Sequence, residues 1–512
     1  MGALDSILSG DSGVLEFEPG KNCWQVQEAQ RFAVIVDAAD YFVAVREAML
    51  KARRSIYLIG WDFDARISLG RDTDEGPKKL GDFILWLANR TPSLEIRLLR
   101  WDTGAFKALF RGNTLVKILQ WKWHKRITLQ LDSAHPLAGS HHQKIVVIDD
   151  CLAFCGGIDM TVGRLDSRKH LDDDPIRTGP DGEISKPWHD VTSAFDGPAA
   201  RAMGDLARER WRVATGTELP PAEEDHDCWP DDLKPDMHGL QLAIARTWPE
   251  TRGRAPIHEI EEMYINLIAS AKTQIYAESQ YFASRRIAQA IACRLIEDDG
   301  PEVVIVNPIS AEGWLEPIAM DSARAKLFDA IKRIDKHDRF RIYHPVTEQG
   351  DEIYVHAKVM VIDDCLIRIG SSNFNNRSLR FDTECDVVLS TQLTRDNALA
   401  EKIAFRRNDL IAEHLGTSAK DVAAELEQEG SLIRAIETLR DRSSGRKLVD
   451  FQKPELNGLE EFIADNEILD PVEPDAIFEP LEKRGLFKGW RSKLKRHARR
   501  HRPGVKHGGP ST

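Results

Sequence analysis

The sequence predicts an α/β protein with two similar domains, and two repeats in the chain lead to this prediction. The stretch HHQKIVVIDDCL at 141–152 returns 214 positions later as VHAKVMVIDDCL at 355–366, and both copies fit the pattern HxKxxxxD. A second stretch, 52–61, returns at 271–280 with an offset of 219. In each copy a helix-like segment leads into a short run of β-branched and aromatic residues, which is the pattern of α/β units.

The elements of each predicted domain follow the same order. The helix-like segments are 41–54 and 257–272, and each comes directly before the first apolar run of its copy. The runs 145–148 and 359–362 inside the repeated motif are short and wholly apolar, which predicts buried strands. The loop 170–187 follows the first motif closely, so it could cover a site there, although a surface insertion is favoured.

The domain boundaries follow from composition. A chain of 512 residues with 42% hydrophobic content can form two sizeable cores. Prolines at 220, 221 and 230 exclude regular structure from much of the segment between the copies. The stretch 420–440 has apolar positions at helical spacing and predicts an appended helix. The predicted parts are an N-terminal segment 1–30, a first domain 31–215, a linker 216–239, a second domain 240–413, a helical segment 414–453, and an acidic then basic tail 454–512.

The repeated motif carries the strongest functional signal. Residues two apart in a strand point to the same face, so His142 projects with Lys144, and His356 projects with Lys358. A single histidine in a strand is more often packed than catalytic. Two copies at one spacing, each followed by a glycine-bearing turn, instead predict two half-sites that form one phosphate-handling centre.

With these motifs the chain resembles the phospholipase D superfamily, whose signature is two HxKxxxxD motifs. It is similar above all to the branch of eukaryotic phospholipases D and their bacterial relatives. The resemblance covers roughly 30–410 and includes PWHDV at 187–191, ESQYF at 278–282 and GSSNFNNRSL at 370–379. It implies two phospholipase D-like α/β domains related by a pseudo-two-fold axis, so that both motifs meet at the domain interface.

The resemblance also implies a mechanism. A neutral imidazole attacks phosphorus and forms a phosphohistidine, while a second imidazole protonates the departing alcohol. In the family's usual division of roles, His142 is the nucleophile and His356 is the acid. Lys144 and Lys358 supply positive charge beside the phosphoryl oxygens, so no metal and no other cofactor is expected.

Four carboxylates complete the expected catalytic set. The resemblance points to Glu384 as the carboxylate of the second half and to Asp190 as its counterpart in the first half. Each should hold a histidine ring in one tautomer. Asp149 and Asp363, the last residues of the two motifs, are expected to orient the motif lysines and the local backbone.

The turns after the motifs are expected to bind substrate. The predicted contacts are Ser371, Asn373 and Asn375 in the second turn and Asp159 in the first. Asn373 ranks above Asp159, because an amide donates to phosphate whereas an ionised carboxylate repels it.

Composition narrows the substrate. The formal net charge is −12, and residues 483–512 hold eleven Lys or Arg without any Asp or Glu, which leaves −23 for the rest. Such an acidic body disfavours a nuclease, since nucleic acid needs a basic face. No apolar run reaches the 18 or so residues that span a bilayer, whereas cardiolipin synthases usually have spanning helices. The favoured function is hydrolysis of a glycerophospholipid to phosphatidic acid, with transphosphatidylation possible; a cardiolipin synthase-like phosphatidyltransferase and a nuclease are the alternatives.

The remaining expectations concern partners and location. Phe487 and Trp490 recur among basic residues at helical spacing, so the tail could bind anionic lipid or nucleic acid, or be a disordered end. Trp121 and Trp123 are assigned to the core. Seven scattered cysteines, with Cys151 and Cys365 in apolar runs where buried cysteine is common, indicate a reducing compartment. A monomeric, cytoplasmic protein that associates peripherally with membranes is expected.

Overall fold

The computed structural model describes residues 15–70, 75–102, 114–136, 139–222, 226–251, 253–312, 317–394, 396–454 and 470. The first half of the chain contains β1 (Gln25–Val36), α1 (Ala38–Leu50), β2 (Ser55–Gly60), α2 (Leu80–Arg90), β3 (Glu95–Trp101), α3 (Thr114–Trp123), β4 (Ile127–Asp132), β5 (Ile145–Ile148), β6 (Leu152–Gly156), β7 (Trp188–His189), β8 (Val191–Asp196) and α4 (Gly197–Thr215).

The second half begins at β9. It contains β9 (Met237–Trp248), β10 (Ile257–His258), α5 (Glu259–Ser270), β11 (Gln274–Glu278), α6 (Arg285–Leu295), β12 (Glu302–Val306), α7 (Ser322–Lys332), β13 (Phe340–Val346), β14 (Tyr354–Val355), β15 (Val359–Ile362), β16 (Leu366–Gly370), β17 (Glu384–Ser390), α8 (Asn397–Leu415), α9 (Ala419–Glu429), α10 (Leu432–Arg442) and β18 (Lys447–Asp450).

One mixed sheet runs through both halves. In the described part of the chain it has 16 strands, and β1 and β9 pair antiparallel at the seam from Gln25↔Ile244 to Phe32↔Met237. Outward from the seam, the first half follows the order β1-β8-β6-β5-β2-β3-β4, and the second follows β9-β17-β16-β15-β11-β12-β13-β18. The α/β fold class predicted from the sequence is confirmed.

Helices cover both faces of the sheet, which explains why its central strands are apolar throughout. All four residues of β5 and of β15 are buried. One core cluster lies on the face covered by α4 and α8, and it includes residues of both halves, such as Met203 and Leu410. The opposite face has two separate clusters, one under α1 and α2 and one that includes residues of α5 and α6. The shared cluster therefore joins the halves, and the histidine motifs lie along the same seam.

The last aspartate of each motif reverses the chain after its strand. Asp149 and Asp363 both have φ 49, a left-handed conformation that Asp tolerates better than most residues. The Asp149 carboxylate accepts hydrogen bonds from the backbone N–H groups of Arg53 (2.6 Å), Arg54 (2.8 Å) and Ser55 (2.6 Å), where β2 begins. Asp363 does the same for 272–274 before β11.

The expectation that these aspartates orient the motif lysines is wrong. Lys144 precedes β5 and Asp149 follows it, and five residues of extended chain separate their Cα atoms by roughly 16 Å. The backbone part of the expectation agrees with the hydrogen bonds. Both aspartates belong to the scaffold and lie away from the histidines.

Several predicted boundaries differ from the structure. β1 begins at Gln25, inside the predicted N-terminal segment, and β9 begins at Met237, inside the predicted linker. The predicted appended helix is two helices, because Gly430 ends α9 with φ 59 and the Ser431 hydroxyl caps α10. β18 then pairs with β13, so this segment extends the sheet.

Two expectations about burial are also wrong. Trp121 is buried, but Trp123, two residues further along α3, points to a different side of the helix and is 79% exposed. Cys365 is exposed and Cys151 partly so, because both lie in the turns that follow the motif strands. No helix in the described residues is long and apolar enough to cross a membrane. The basic tail, most of the acidic stretch before it and residues 1–14 lie outside the described residues.

Replacing Asp149 with alanine tests its structural role. We expect Asp149→Ala to lower the free energy of unfolding by roughly 2–5 kcal/mol, because three backbone N–H groups lose a charged acceptor. Urea denaturation measures the loss. The matched control is Asp173→Ala, an exposed aspartate in the loop before β7, which should change stability by less than about 0.5 kcal/mol. Equal denaturation midpoints for the two variants would contradict this role.

Candidate active site

Each motif histidine is anchored by backbone of the opposite half. The His142 N–H donates to the carbonyl of Thr383 (3.0 Å), one residue before β17. In the other half, β14 pairs in parallel with β7, and the His356 N–H donates to the carbonyl of His189 (2.8 Å). The backbone at the start of each motif is therefore hydrogen-bonded to the other half of the molecule, and both histidine rings lie at the interface between the halves.

The orienting carboxylates also cross between the halves. Nδ1 of His142 lies 2.9 and 3.0 Å from the two carboxylate oxygens of Glu384. Nδ1 of His356 lies 2.7 Å from Oδ2 of Asp190. The expected pairing within each half is therefore wrong: Glu384 serves the first histidine and Asp190 the second. Both carboxylates are completely buried, and their hydrogen bonds with Nδ1 fix each ring in one tautomer.

A glycine makes room for Asp190. A Cβ atom on Gly157 would lie 2.1 Å from Oδ1 of Asp190, so no larger residue fits beside this carboxylate. The same oxygen accepts a hydrogen bond from the Val191 N–H (2.8 Å), and the other oxygen faces His356. The Asp190 carboxylate, which binds His356, thus explains why a glycine is found at this position of the first turn.

The motif lysines fold back over their own histidines. Nζ of Lys144 donates to the carbonyl of His142 (3.1 Å), and Nζ of Lys358 donates to the carbonyl of His356. Oδ2 of Asp159 lies 3.2 Å from Nζ of Lys144, and its Oδ1 accepts from the Trp61 N–H (3.1 Å). Asp159 is therefore a counter-ion of Lys144, and the predicted substrate contact at this residue is wrong.

The side chains of the second turn mainly form hydrogen bonds that hold Glu384 in place. The hydroxyls of Ser371 (2.5 Å) and Ser378 (2.7 Å) donate to Glu384, and the side-chain oxygen of Asn375 accepts from the Ser378 N–H (3.1 Å). The predicted substrate contacts at Ser371 and Asn375 are therefore corrected to positioning roles. The Asn373 amide donates weakly to Gln280 at 3.4 Å, and its buried Oδ1 has no hydrogen-bond partner in the described residues.

Three residues near the histidines were not singled out from the sequence. The Trp188 ring lies 5.1 Å from the His356 ring and stacks on Tyr354 at 4.6 Å. The Arg164 guanidinium lies 3.8 Å above the Trp188 ring. Trp188 lies in the stretch PWHDV at 187–191, which served in the sequence only as a marker of the family. Arg164 lies in an irregular segment and gives no signal of its own.

Burial controls the protonation of the site. Desolvation, with the charges of nearby lysines, holds the pKa of His142 and of His356 well below the usual value, so both rings are neutral near pH 7. Desolvation also raises the pKa of Glu384 to about 8 and that of Asp190 to about 7. It lowers the pKa of Lys358 to about 7.

This arrangement can perform bifunctional chemistry. Each ring has Nδ1 held by a carboxylate, and within the described residues no protein group forms a hydrogen bond with either Nε2. The positive charges of both motif lysines lower the pKa of both histidines, so the four groups interact across the two halves. When the carboxylate is ionised and accepts the proton on Nδ1, one neutral ring can attack an electrophile through Nε2, while the other ring exchanges a proton with the leaving group.

The fold and the paired histidine motifs define a member of the phospholipase D superfamily, and comparison with family models confirms it. Residues 48–288 match the model described as Phospholipase D, and residues 264–404 match one described as Cardiolipin synthase, PLD-like domain. The chain belongs to this superfamily, as the sequence motifs predicted.

Among curated relatives, phospholipase D A of Dictyostelium discoideum is 26% identical over 453 residues, covering 74% of this chain and 35% of that protein. Phospholipase D alpha 1 of Zea mays is 25% identical over 511 residues, covering 72% of this chain and 63% of its own length. This chain thus spans between a third and two thirds of these relatives. The solved phosphatidylserine synthase of Haemophilus influenzae shares the fold, with a TM-score of 0.53 and 14% identity over 76% of this chain and 88% of that one.

Anion binding should be coupled to proton uptake. In the free protein both histidines are neutral, because their pKa values lie well below 6.5. A bound phosphodiester anion stabilises the charged ring and raises the pKa of His356. Because Asp190, whose pKa is about 7, already carries a proton in part of the molecules, the site should take up less than one proton at pH 7. Calorimetric titration with dimethyl phosphate, in buffers of different ionisation enthalpy, measures this uptake. His356→Asn is the control and should lose this proton uptake. A binding enthalpy of the wild-type protein that is the same in all buffers would contradict the prediction.

Proposed function

We propose that this protein is a phospholipase D, which hydrolyses a glycerophospholipid to phosphatidic acid and a free alcohol. The observation that carries the proposal is the crossed pair of histidines, each with Nδ1 on a buried carboxylate and each beside a motif lysine. The names of the curated relatives support the same activity. We further propose that the halves are related by a pseudo-two-fold axis through the site, which is supported by their matching strand orders, with β18 as an additional edge strand in the second half.

The first step transfers the phosphatidyl group to the protein. The lone pair on Nε2 of His142 attacks phosphorus, and the bond from phosphorus to the head-group oxygen breaks. His356, protonated when the anionic substrate arrives, donates the proton on its Nε2 to the leaving oxygen. Glu384 stabilises the positive charge on the phosphorylated ring, and the two lysines stabilise the phosphoryl oxygens.

The second step releases the phosphatidyl group. His356, now neutral, removes a proton from water, and the water oxygen attacks phosphorus while the bond to His142 breaks. The products are phosphatidic acid and the starting protein. An alcohol in place of water gives a phosphatidyl alcohol, since the same base can activate either acceptor. Transphosphatidylation is therefore part of the proposal.

Charge supports lipid over nucleic acid as the substrate. The chain without residues 483–512 has a formal net charge of −23, which opposes binding of a polyanion. A transferase that joins phosphatidyl groups is the second candidate, because residues 264–404 match the model described as Cardiolipin synthase, PLD-like domain. The two candidates differ only in the acceptor used in the second step.

Exposed apolar residues near His356 support contact with a lipid surface. Leu171, Ile176 and Ile184 are 51%, 39% and 49% exposed on the loop that leads into β7. Ile309 is 45% exposed beside Glu352, close to β14. The loop is held in place by a hydrogen bond from the Thr347 hydroxyl to Asp172. We propose that this rim enters the membrane surface and that the basic tail binds anionic lipid.

Single substitutions of either histidine test the mechanism. We expect His142→Ala and His356→Ala each to lower turnover of phosphatidylcholine by at least about 10⁴-fold with unchanged circular dichroism, since neither step proceeds without both rings. Substantial activity in either variant would remove the two-histidine mechanism.

An acceptor assay separates the candidate functions. Incubation of mixed phospholipids with ethanol should give phosphatidylethanol, and without ethanol phosphatidic acid. Phosphatidylglycerol as both donor and acceptor should give little cardiolipin when water competes. Cleavage of single-stranded DNA with intact lipid would identify a nuclease instead.

The two membrane contacts should differ in salt dependence. Deleting residues 483–512 should weaken binding to anionic vesicles mainly at low salt, because eleven basic residues are lost. Ile184→Ser should weaken binding equally at low and high salt, because the lost contact is apolar. Both variants should hydrolyse a short-chain soluble phosphatidylcholine normally. Vesicle sedimentation measures binding, and wild-type binding by both variants would exclude these contacts.

A further inference from the structure

A second cluster of ionisable side chains lies behind the histidine pair. It consists of Asp37 at the end of β1, His170 in the loop before β7, His189 in β7 and Glu413 in α8. All four side chains are at most 1% exposed. Three come from the first half and one from the second, so the cluster spans the seam one residue away from Asp190.

The four side chains converge on one point. Oε1 of Glu413 lies 3.0 Å from Nε2 of His170 and 2.8 Å from Nδ1 of His189. The two oxygens of Asp37 lie 3.3 Å from Nδ1 of His189 and 3.4 Å from Nε2 of His170. These separations are close to the edges, about 3.3 Å, of a tetrahedron whose centre lies 2.0–2.1 Å from each donor.

The far side of each histidine is fixed by another carboxylate. Nδ1 of His170 lies 2.9 Å from Asp166, which also accepts from the Trp188 N–H (2.8 Å). Nε2 of His189 lies 2.9 Å from Glu278, which also accepts from the Tyr276 hydroxyl (2.6 Å). A carboxylate that accepts several hydrogen bonds is ionised, so each histidine donates there and presents its other nitrogen to the cluster. Carboxylates arranged in this way orient the histidine ligands of metal ions.

Hydrogen bonds within the cluster do not satisfy Asp37. Its Oδ1 accepts from the Asp190 N–H at 3.1 Å, but its buried Oδ2, 3.4 Å from Nε2 of His170, forms no hydrogen bond within the part of the chain that the structure describes. Asp37 stands at the N-cap of α1, yet its side chain forms no capping bond there. Its φ of 66 is strained for a residue with a side chain, and this conformation directs the carboxylate into the cluster. A carboxylate oxygen without a hydrogen bond in this position suits a metal ligand.

We propose that Asp37, His170, His189 and Glu413 hold one divalent transition-metal ion of the zinc class. Imidazole nitrogens and carboxylate oxygens both bind zinc, and four protein donors without an open position form the closed tetrahedral geometry of structural zinc sites. With neutral histidines, the charge of the ion balances the two carboxylates. Two protons, one on each histidine, would balance them equally well, with His170 and Asp37 as an ion pair at 3.4 Å, so metal analysis decides between the two states.

The ion has a structural role that is separate from phosphoryl transfer. It joins α8 of the second half to β1 and β7 of the first. Through His189 it fixes the residue next to Asp190 and the carbonyl that anchors the His356 N–H. This inference goes beyond the proposed function, and it stands whether or not the protein hydrolyses lipid.

A different group could also bind zinc, so the test must separate the two. Cys151, His226 and Cys228 offer two thiols and one imidazole within 4.8 Å of one another. Sulfur lies about 2.3 Å from zinc, whereas nitrogen and oxygen lie at 2.0–2.2 Å. X-ray absorption at the zinc edge therefore identifies the occupied cluster in the wild-type protein.

The full chain is expressed in medium that contains zinc, purified at pH 7.5 and passed over a chelating resin. We expect elemental analysis to give about one zinc per chain, with nitrogen and oxygen neighbours only. Less than about 0.1 metal ion per chain would overturn the proposal, and so would a sulfur shell.

Matched variants locate the ion. Glu413→Gln should lower the zinc content at least about tenfold, because a ligand charge is lost, while Cys228→Ser should retain it. Equal zinc content in Glu413→Gln and the wild type would overturn the proposal. If Glu413→Gln does not fold, refolding of the wild-type protein from urea tests whether the protein needs the ion. Native circular dichroism should return with Zn²⁺ but not with a chelator and Mg²⁺, and equal recovery in both would overturn the proposal.

Discussion

The crossed hydrogen bonds between histidine and carboxylate are the constraint on which the rest of the site depends. His142 relies on Glu384 and His356 relies on Asp190, so neither half holds a complete catalytic pair. The crossing needs backbone anchors, and these are the pairing of β14 with β7 and the bond from the His142 N–H to Thr383. It also needs a rigid seam, which the antiparallel pairing of β1 with β9 and the shared core under α4 and α8 provide. The long sheet is therefore what holds two distant parts of the chain at hydrogen-bond distance.

Burial gives these hydrogen bonds their chemical effect. A carboxylate in water would be ionised at neutral pH whether or not a histidine lies beside it. Desolvation raises the pKa of Glu384 and of Asp190 to the neutral range, so the proton between each pair responds to the charge of a ligand. The serines at 371 and 378 and the valine N–H at 191 limit this shift by donating to the carboxylates. The site is thus set to change protonation when an anion enters.

The sequence predicted the parts of the site that depend on local spacing. A strand repeats every two residues, so His142 and Lys144 could be placed together from their spacing alone. The partner of each histidine could not be predicted, because two similar copies suggest two self-contained halves. The roles of Ser371 and Asp159 were also missed, since a serine and an aspartate in a turn are equally suited to a ligand or to a buried neighbour. The second cluster escaped notice because its four residues, from 37 to 413, share no motif.

The exchange of carboxylates makes the two halves depend on each other. Either half on its own would lack the carboxylate partner of its motif histidine, because each pair crosses the seam. Partial unfolding that separates the halves would therefore break both histidine–carboxylate pairs while the helices and strands within each half could remain. The two pairs thus report on the docking between the halves.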